Sequence, residues 1–252
     1  MVPKVVINCD MGEGYGNWKM GPDEELMALT DQANIACGFH AGDPTTMMKT
    51  VRLAKKHGVV VGAHPGLPDK EGFGRRLMDI PPEDLYCQML YQVGSLKAML
   101  DVEGVPLNHI KPHGKLYRMI KDDPEVGHAC FRAIKTFNVP FVGLPGTAHE
   151  ELCKEYGVDF HPEFFPDLWY DDMGQTVPIL TAGRVPQDQI RPKMDKIIAT
   201  QQVTSIKGNE ATVPFAGRSF TCCVHSDLPG ALECIKHVRN AIDEAAASKS
   251  AS

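Results

Sequence analysis

The stretch that decides the fold is NIACGFHAGDP at residues 34–44. It begins as a short apolar run, turns at glycines, carries His40 and Asp43 on the turn, and ends at a proline that can open a helix. α/β enzymes hold their reactive side chains at such a strand end, ahead of a helix. The stretch therefore predicts a strand, a candidate site and a helix in direct succession.

The same arrangement recurs at four other places in the chain. Apolar runs there end in the segments DMGEG (10–14), GAHPG (62–66), KPHG (111–114) and HSD (225–227). Seven strands are predicted in all, at Val5–Cys9, Asn34–Cys37, Val59–Ala63, His109–Lys111, Phe141–Leu144, Val158–His161 and Phe220–Val224. Parallel strands that alternate with helices form an open sheet or a barrel. Because only a barrel brings all strand ends to one mouth, we predict a seven-stranded β/α barrel, TIM-like but distorted.

The length and the spacing of the elements indicate a single domain over residues 1–252. Predicted helices occupy residues 22–31, 44–57, 81–102, 123–137, 147–156 and 186–202, and a last helix begins at 229. We expect a small excursion or hairpin at 203–215 and a frayed tail at 245–252.

Composition and charge argue against several classes of protein. The formal net charge is −6, from 26 basic and 32 acidic residues without a dense basic block, so we expect no nucleic-acid partner. No apolar run approaches the roughly 20 residues of a membrane span, so we expect no membrane association. The chain leads straight into a strand without a signal peptide, which favours a cytoplasmic protein. A homo-oligomer stays open.

The eight cysteines form no CxxC pair and no regular framework. That pattern is typical of reduced, buried cysteines in the cytosol. The alternative is a nucleophilic cysteine, for which Cys37 at a strand end is the best candidate.

Four histidines, His40, His64, His113 and His225, occupy the same position after a predicted strand. A single histidine there is more often a hydrogen-bonding residue than a catalyst, but four together predict that at least two line one pocket. Histidines and carboxylates can transfer protons or hold a metal ion. Because these histidines lie far apart in sequence, their spacing does not show whether three of them meet one zinc ion.

The accompanying carboxylates are Asp10, Glu13, Asp43 and Asp227. Asp43 and Asp227 shortly precede prolines that open helices, so either can be only a helix cap. Asp10 follows a buried strand and stands just before a glycine, which favours a general base or a metal ligand.

Two cationic positions complete the candidate set. Lys111 could bind an anion or polarise a carbonyl group, or it could be a solvated lysine at the rim. Arg75 could bind a carboxylate or a phosphate, or it could lie on the surface. The sequence contains no GxxxxGK[ST], GxGxxG, GxSxG or HExxH motif, so it offers no familiar nucleotide site of its own.

Taken together, these segments resemble the LamB/YcsF family. The resemblance lies, in order, in NCDMGEG (8–14), ANIACGFHAGDP (33–44), GAHP (62–65), GFGRR (72–76), KPHG (111–114) and CVHSD (223–227). The second of these segments is long and highly specific. The resemblance implies a seven-stranded β/α barrel similar to those of polysaccharide deacetylases and glycoside hydrolases.

The resemblance also implies an activity, the ATP-dependent opening of 5-oxoproline to L-glutamate by an A-type subunit. Such a subunit works with partner subunits of the B and C types, and ATP with Mg²⁺ is then a co-substrate bound mainly by the partners. We assign Asp10, His64, His113 and Lys111 as catalytic, and Glu13, Asn34, His40, Asp43, Arg75, His225 and Asp227 as substrate-binding. Possible ligands of a bound divalent metal are Asp10, His40, His64 and His113.

The sequence departs from the family pattern at three positions. Bacterial members usually have glycine at Ser226, alanine at Lys115 and arginine at Leu168. The loss of an arginine near a pocket could change which anion is accepted, so the identity of the lactam stays open. Two other functions also stay open, a metal-dependent hydrolase of the deacetylase type and a non-catalytic subunit that only binds a ligand.

Overall fold

The computed structural model describes residues 3–250, which form nine strands. Seven of the strands are parallel and close into a barrel, and the other two form a separate antiparallel pair. The barrel strands are β1 (Val5–Met11), β2 (Gln32–Ala36), β3 (Val60–His64), β4 (Leu107–Ile110), β5 (Phe141–Gly143), β6 (Phe160–Phe164) and β9 (Phe220–Val224), and the pair is β7 (Gln202–Thr204) with β8 (Glu210–Thr212). The predicted seven-stranded β/α barrel is thus confirmed.

The barrel strands follow one another in chain order, and β9 closes the barrel by pairing with both β6 and β1. Because all seven strands are parallel, their carboxyl ends lie at one mouth. Every candidate residue of the sequence analysis lies at or near such a carboxyl end, so closure of the barrel directs them all toward the same end of the molecule.

Helices surround the barrel and bury its outer surface. They are α1 (Asp23–Met27), α2 (Pro44–His57), α3 (Pro82–Glu103), α4 (Gly114–Asp122), α5 (Pro124–Lys135), α6 (Ala148–Tyr156), α7 (Ile179–Ala182), α8 (Gln187–Thr200) and α9 (Ala231–Ser250). The start and the end of α2 follow from sequence, since the Asp43 carboxylate accepts the Thr46 N–H at 2.8 Å and Gly58 ends the helix at φ +69°. Within residues 3–250, no helix combines the length and apolar character that crossing a membrane requires.

The two faces of the barrel wall differ in polarity. Along β1, Ile7 and Cys9 belong to the hydrophobic core, whereas the alternate residues Asn8 and Asp10 make polar contacts across the barrel interior. Gly62 of β3 leaves the space that such polar groups need, because a Cβ there would lie 2.1 Å from Nε2 of His109. The interior near the mouth is therefore a packed polar network.

Some predicted boundaries are wrong. Strand β6 runs two to three residues later than predicted and so includes Glu163, which lies beyond the predicted strand end at His161. Helices α4 and α7 are absent from the prediction, and α4 begins immediately after His113. Helix α9 continues to Ser250, and the frayed tail expected at 245–252 stays a prediction, of which residues 251–252 lie outside the described range.

Two further predictions have different outcomes. The β7–β8 pair confirms the hairpin expected within 203–215, while the single-domain assignment stays a prediction. The eight cysteines are all free, and seven of them are buried. Burial raises the pKa of Cys37 to about 12, which does not favour the alternative that Cys37 is a nucleophile.

Candidate active site

The mouth of the barrel contains a cavity of about 320 Å³. Six of the predicted site residues line it, and one of them, Arg75, lies in the segment between β3 and α3. Asp10 comes from β1, His64 from the end of β3, Lys111 and His113 from the segment between β4 and α4, and His225 from the residue after β9. Barrel closure therefore brings side chains from four separate strand ends to one cavity wall.

Asp10 lies at the centre of this arrangement. Nζ of Lys111 donates a hydrogen bond to its Oδ1 at 2.7 Å, and Nε2 of His64 lies 3.4 Å from its Oδ2. Burial alone would raise the pKa of Asp10, but its contacts with the His64 ring and with the Lys111 ammonium outweigh burial and hold it well below its usual value. Burial alone would lower the pKa of Lys111, but the Asp10 charge raises it well above its usual value. The two residues form a buried carboxylate–ammonium pair.

Amide side chains fix the Asp10 carboxylate in place. Nδ2 of Asn34 donates to Oδ1 of Asp10 at 2.8 Å and to Oδ1 of Asn8 at 2.7 Å. Oδ1 of Asn34 lies 2.7 Å from Nε2 of His109. Asn34 is fully buried, so in this structure it orients Asp10, and its assigned contact with a substrate stays a prediction.

Glu163 is a second buried carboxylate, which the sequence analysis does not include in the site. Its Oε1 accepts from Nδ2 of Asn8 at 2.9 Å, its Oε2 accepts from the Tyr117 hydroxyl at 3.0 Å, and Nζ of Lys111 lies 3.6 Å away. Burial raises the pKa of Glu163 against the opposing charge of Lys111. The available signal was a single carboxylate inside the otherwise non-acidic run FHPEFF at 160–165.

His40, His64 and His113 form a compact cluster beside Asp10. The rings of His40 and His113 are stacked with centroids 3.8 Å apart, and the ring of His64 is perpendicular to both. A glycine permits this packing, since a Cβ at Gly66 would lie 2.4 Å from Nδ1 of His40. Burial lowers the pKa of all three histidines, which favours neutral imidazoles.

Hydrogen bonds assign the tautomers of two of these rings. Nδ1 of His64 lies 2.6 Å from the carbonyl oxygen of Lys111, and Nε2 of His113 lies 2.8 Å from the carbonyl oxygen of Phe73. A carbonyl oxygen can only accept, so each of these nitrogens carries a hydrogen, and the other nitrogen of each neutral ring is bare. The bare nitrogens, Nε2 of His64 and Nδ1 of His113, face each other at 3.0 Å. A metal cation bound by both, or a proton on Nε2 of His64, which also lies 3.4 Å from Oδ2 of Asp10, would remove the repulsion between their lone pairs.

One group of four side chains could hold a metal ion here. Its members are Glu13, His40, His64 and His113, whose ligand atoms lie within 4.8 Å of one another. Oε1 of Glu13 lies 3.3 Å from Nε2 of His40 and 3.6 Å from Nδ1 of His113. Imidazoles anchored through their other nitrogen to carbonyl groups are usual around bound metals. Glu13 thus joins three of the four ligands considered from sequence, whereas Asp10 belongs to a separate group with Cys223 and His225.

On the other side of the cavity, His225 forms a dyad with Asp167. Nδ1 of His225 donates to Oδ2 of Asp167 at 2.7 Å. Burial alone would lower the pKa of His225, but Asp167 outweighs it and raises the pKa above its usual value. His225 therefore stays protonated to higher pH than an ordinary histidine. Asp167 is absent from the predicted site, because nothing in the sequence links it to a histidine 58 positions away.

Asp43, Arg75 and Asp227 lie at the rim of the mouth. Both carboxylate oxygens of Asp43 accept backbone N–H groups at 2.8 Å, one from Thr46 and one from Gly16, so Asp43 is a helix cap here. Nη2 of Arg75, which lines the cavity, lies 2.9 Å from Oδ2 of Asp227. That all three contact a substrate stays a prediction.

The three departures from the family pattern all lie at this site. Lys115 and Leu168 line the cavity. The Ser226 hydroxyl donates to Oε2 of Glu13 at 3.3 Å. Two of these three positions therefore line the cavity, and the third contacts Glu13 behind it.

Comparison with known proteins adds independent findings. Residues 5–251 match the model described as "LamB/YcsF family". The chain is 48% identical to "Lactam utilization protein lamB" of Emericella nidulans, over 96% of this chain and 95% of that protein. It is 42% identical to a Thermus thermophilus protein named as the A subunit of 5-oxoprolinase, over 96% of this chain and 97% of that protein. The crystal structure of a lactam utilization protein from Thermus thermophilus superposes with a TM-score of 0.89, at 41% identity, covering 96% of this chain and 97% of that one.

Proposed function

Because the chain belongs to the LamB/YcsF family, we propose that it opens the ring of a small lactam by hydrolysis, with 5-oxoproline as substrate and L-glutamate as product. The names of two relatives, a lactam utilization protein and a 5-oxoprolinase component, support this substrate class. One observation carries the proposal. The carboxylate Asp10 and the Asp167-paired His225 face the same cavity, with pKa values displaced in opposite directions. Such a displaced pair supplies a base and an acid at the same pH.

The opening of a lactam ring requires both the base, Asp10, and the acid, His225. A five-membered lactam is a stable amide, so we propose that the γ-phosphoryl group of ATP is first transferred to its carbonyl oxygen. Water then adds to the ring carbon, the C–N bond breaks, and the ring nitrogen takes up a proton. A second water releases phosphate from the resulting acyl phosphate. The sum consumes one ATP and two waters and yields glutamate, ADP and phosphate.

We assign the roles within this chain as follows. Asp10 takes the proton of the attacking water, because it remains ionised and lines the cavity. Lys111 stabilises the negative charge that develops on the water-derived oxygen as the C–N bond breaks. His225 gives its proton to the departing nitrogen. His64 and His113 orient Asp10 and pass protons from it. Asn34 holds Asp10 by a hydrogen bond, Glu13 contacts His40 and His113, and all three of Glu13, Asn34 and His40 belong to the substrate-binding set.

Partner subunits complete the proposed activity. Relatives named as one lettered component of 5-oxoprolinase imply an assembly of several chains. We propose that B- and C-type subunits bind ATP with Mg²⁺, because this sequence contains no phosphate-loop motif. The proposed location is the cytoplasm.

The test measures glutamate formed from 5-oxoproline, ATP and Mg²⁺ with bacterial B and C subunits, with and without this chain. Glutamate that requires this chain, and that fails to form with Asp10→Asn, is the expected result. If a bacterial A-type protein produces glutamate in the same mixture and this chain does not, then 5-oxoproline is not its substrate or the partners do not match.

A second candidate, metal-dependent amide hydrolysis, is favoured by the facing bare nitrogens of His64 and His113. Glu13 and the three clustered histidines fit a divalent cation, which when bound would act as a Lewis acid on the amide. Stoichiometric metal in the purified chain, together with ATP-independent amide hydrolysis that a chelator abolishes, would favour this candidate. Metal content at trace level would count against it.

A further inference from the structure

We propose that Lys115 and Arg118 of α4 form a subsite for a phosphoryl dianion on the open side of the cavity. The existence of the subsite rests on the contacts of these two residues. Only the identity of the molecule that carries the phosphoryl group, the phosphorylated lactam or its acyl phosphate, rests on the proposed function.

Both side chains face the cavity. They stand three residues apart on α4, and residues at this spacing share one face of a helix. Both line the same cavity as Asp10 and His225. Lys115 and Arg118 are each half-buried.

Neither cation has an ion-pair partner among residues 3–250. The contacts of Arg118 are to Thr176, whose carbonyl oxygen and Oγ1 lie 3.5 and 3.4 Å from its Nη2. No hydrogen bond or ion pair of the Lys115 ammonium occurs in the described residues. By contrast, the other two cations of the cavity wall are compensated, Lys111 by Asp10 and Arg75 by Asp227.

Burial of the Arg118 charge without an ion-pair partner is unfavourable. Burial lowers the pKa of the Arg118 guanidinium, with only a partial opposing effect of Asp122. A half-buried cation without a partner is stabilised when an anion binds beside it. The arrangement is therefore complete only with an anionic ligand.

Charge and shape favour a phosphoryl group over a carboxylate. Two free positive charges match a dianion, whereas a carboxylate would leave one of them unpaired. The planar guanidinium can bind two phosphoryl oxygens at once and the lysine a third. The hydroxyls of Thr176 and Thr181, which also line the cavity, can donate to the same oxygens.

The test uses inorganic phosphate as the probe and acetate as the monoanion for comparison, each titrated into the full chain by calorimetry. We expect phosphate to bind more tightly than acetate. The double variant Lys115→Ala/Arg118→Gln should bind phosphate at least tenfold more weakly, and Arg118→Lys should retain part of the affinity. Lys135→Ala, which removes an exposed lysine from the end of α5, is the matched control and should leave affinity unchanged.

The outcomes separate this subsite from the proposed function. Equal phosphate affinity in the wild type and the double variant, with thermal unfolding unchanged, would overturn the subsite. Acetate binding as tight as phosphate binding would instead indicate a carboxylate subsite and would also overturn the proposal. Tight phosphate binding that the double variant loses, in a chain that forms no glutamate with B and C subunits, would refute the proposed lactam and leave the subsite standing.

Discussion

The two halves of the barrel mouth differ in how far their polar side chains are exposed. The half built by the ends of β1 to β4 is closed, and the side chains of Asp10, Glu13, His40, His64, Lys111 and His113 are each at most 3% exposed. The half built by β6, β9 and α4 is open, and His225 there is 16% exposed. In the closed half, polar groups contact one another. In the open half, His225, Lys115 and Arg118 face the space available to a ligand.

This difference indicates which residues have their protonation state determined by their neighbours and which residues are open to a substrate. In the closed half, each buried charge is held by its neighbours, so the state of Asp10 is determined before a ligand arrives. In the open half, charges are left for a ligand to complete. Asp10 and Lys111 belong to the closed network and also line the cavity, so they connect the two halves.

The largest expected effect comes from Asp10, where the two halves meet. Asp10→Asn keeps the shape of the side chain but removes the base and the partner of Lys111. We expect glutamate formation in the reconstituted mixture to fall about a thousandfold, as for loss of a general base. Turnover within tenfold of the wild type would show that the base is elsewhere. Phosphate binding at α4 should persist in this variant.

Lys111→Met tests whether the closed half is held by charge pairing. It leaves the Asp10 carboxylate buried without its cation, so the free energy of unfolding should fall by about 3–5 kcal/mol in a urea titration. The double variant Asp10→Asn/Lys111→Met should lose less, because no buried charge is then unpaired. Lys97→Met, which breaks an exposed pair with Asp101, should change stability by less than about 1 kcal/mol.

Asp167→Asn tests the open half. Without the Asp167 charge, burial lowers the pKa of His225, so less of it is protonated at neutral pH. We expect turnover to drop by roughly a hundredfold at pH 8 and by less at pH 6, where His225 regains its proton. A loss that is the same at both pH values would mean that Asp167 acts only on structure.

The smallest expected effect is that of Lys193 on the pH dependence of stability. Lys193 contacts the loop that contains Asp167. Its Nζ donates to the carbonyl oxygens of Phe165 and Pro166 at 3.1 Å, and burial lowers its pKa to about 7. Between about pH 7 and 10 the unfolded chain binds the proton that the folded chain has lost, so this group makes stability rise with pH.

The measurement compares the slope of unfolding free energy against pH in Lys193→Met and in the wild type. We expect the variant to lose a slope of at most about 1.4 kcal/mol per pH unit above pH 7. Lys196→Met, which removes a lysine that pairs with Glu210, is the control and should keep the slope. Identical slopes in Lys193→Met and the wild type would show that Lys193 stays charged among the carbonyl groups.

The sequence by itself determined the elements and the kinds of chemistry at their ends. Strand β9 lies where its apolar run predicts, and the Asp43–Pro44 start and Gly58 stop of α2 follow from local capping. These features depend on neighbours in the chain, so a local pattern contains them. The family followed from the order of six short segments, which the family match from residue 5 to 251 confirms.

Only the tertiary structure decided which of these groups meet. Asn8 contacts Glu163 across 155 positions, and Lys111 contacts Asp10 across 101. These pairs depend on strand register and on closure of the barrel, which no local pattern encodes. For the same reason the structure, and not the sequence, separated Asp43, whose two oxygens bind backbone N–H groups, from Asp10, which lies in the buried network.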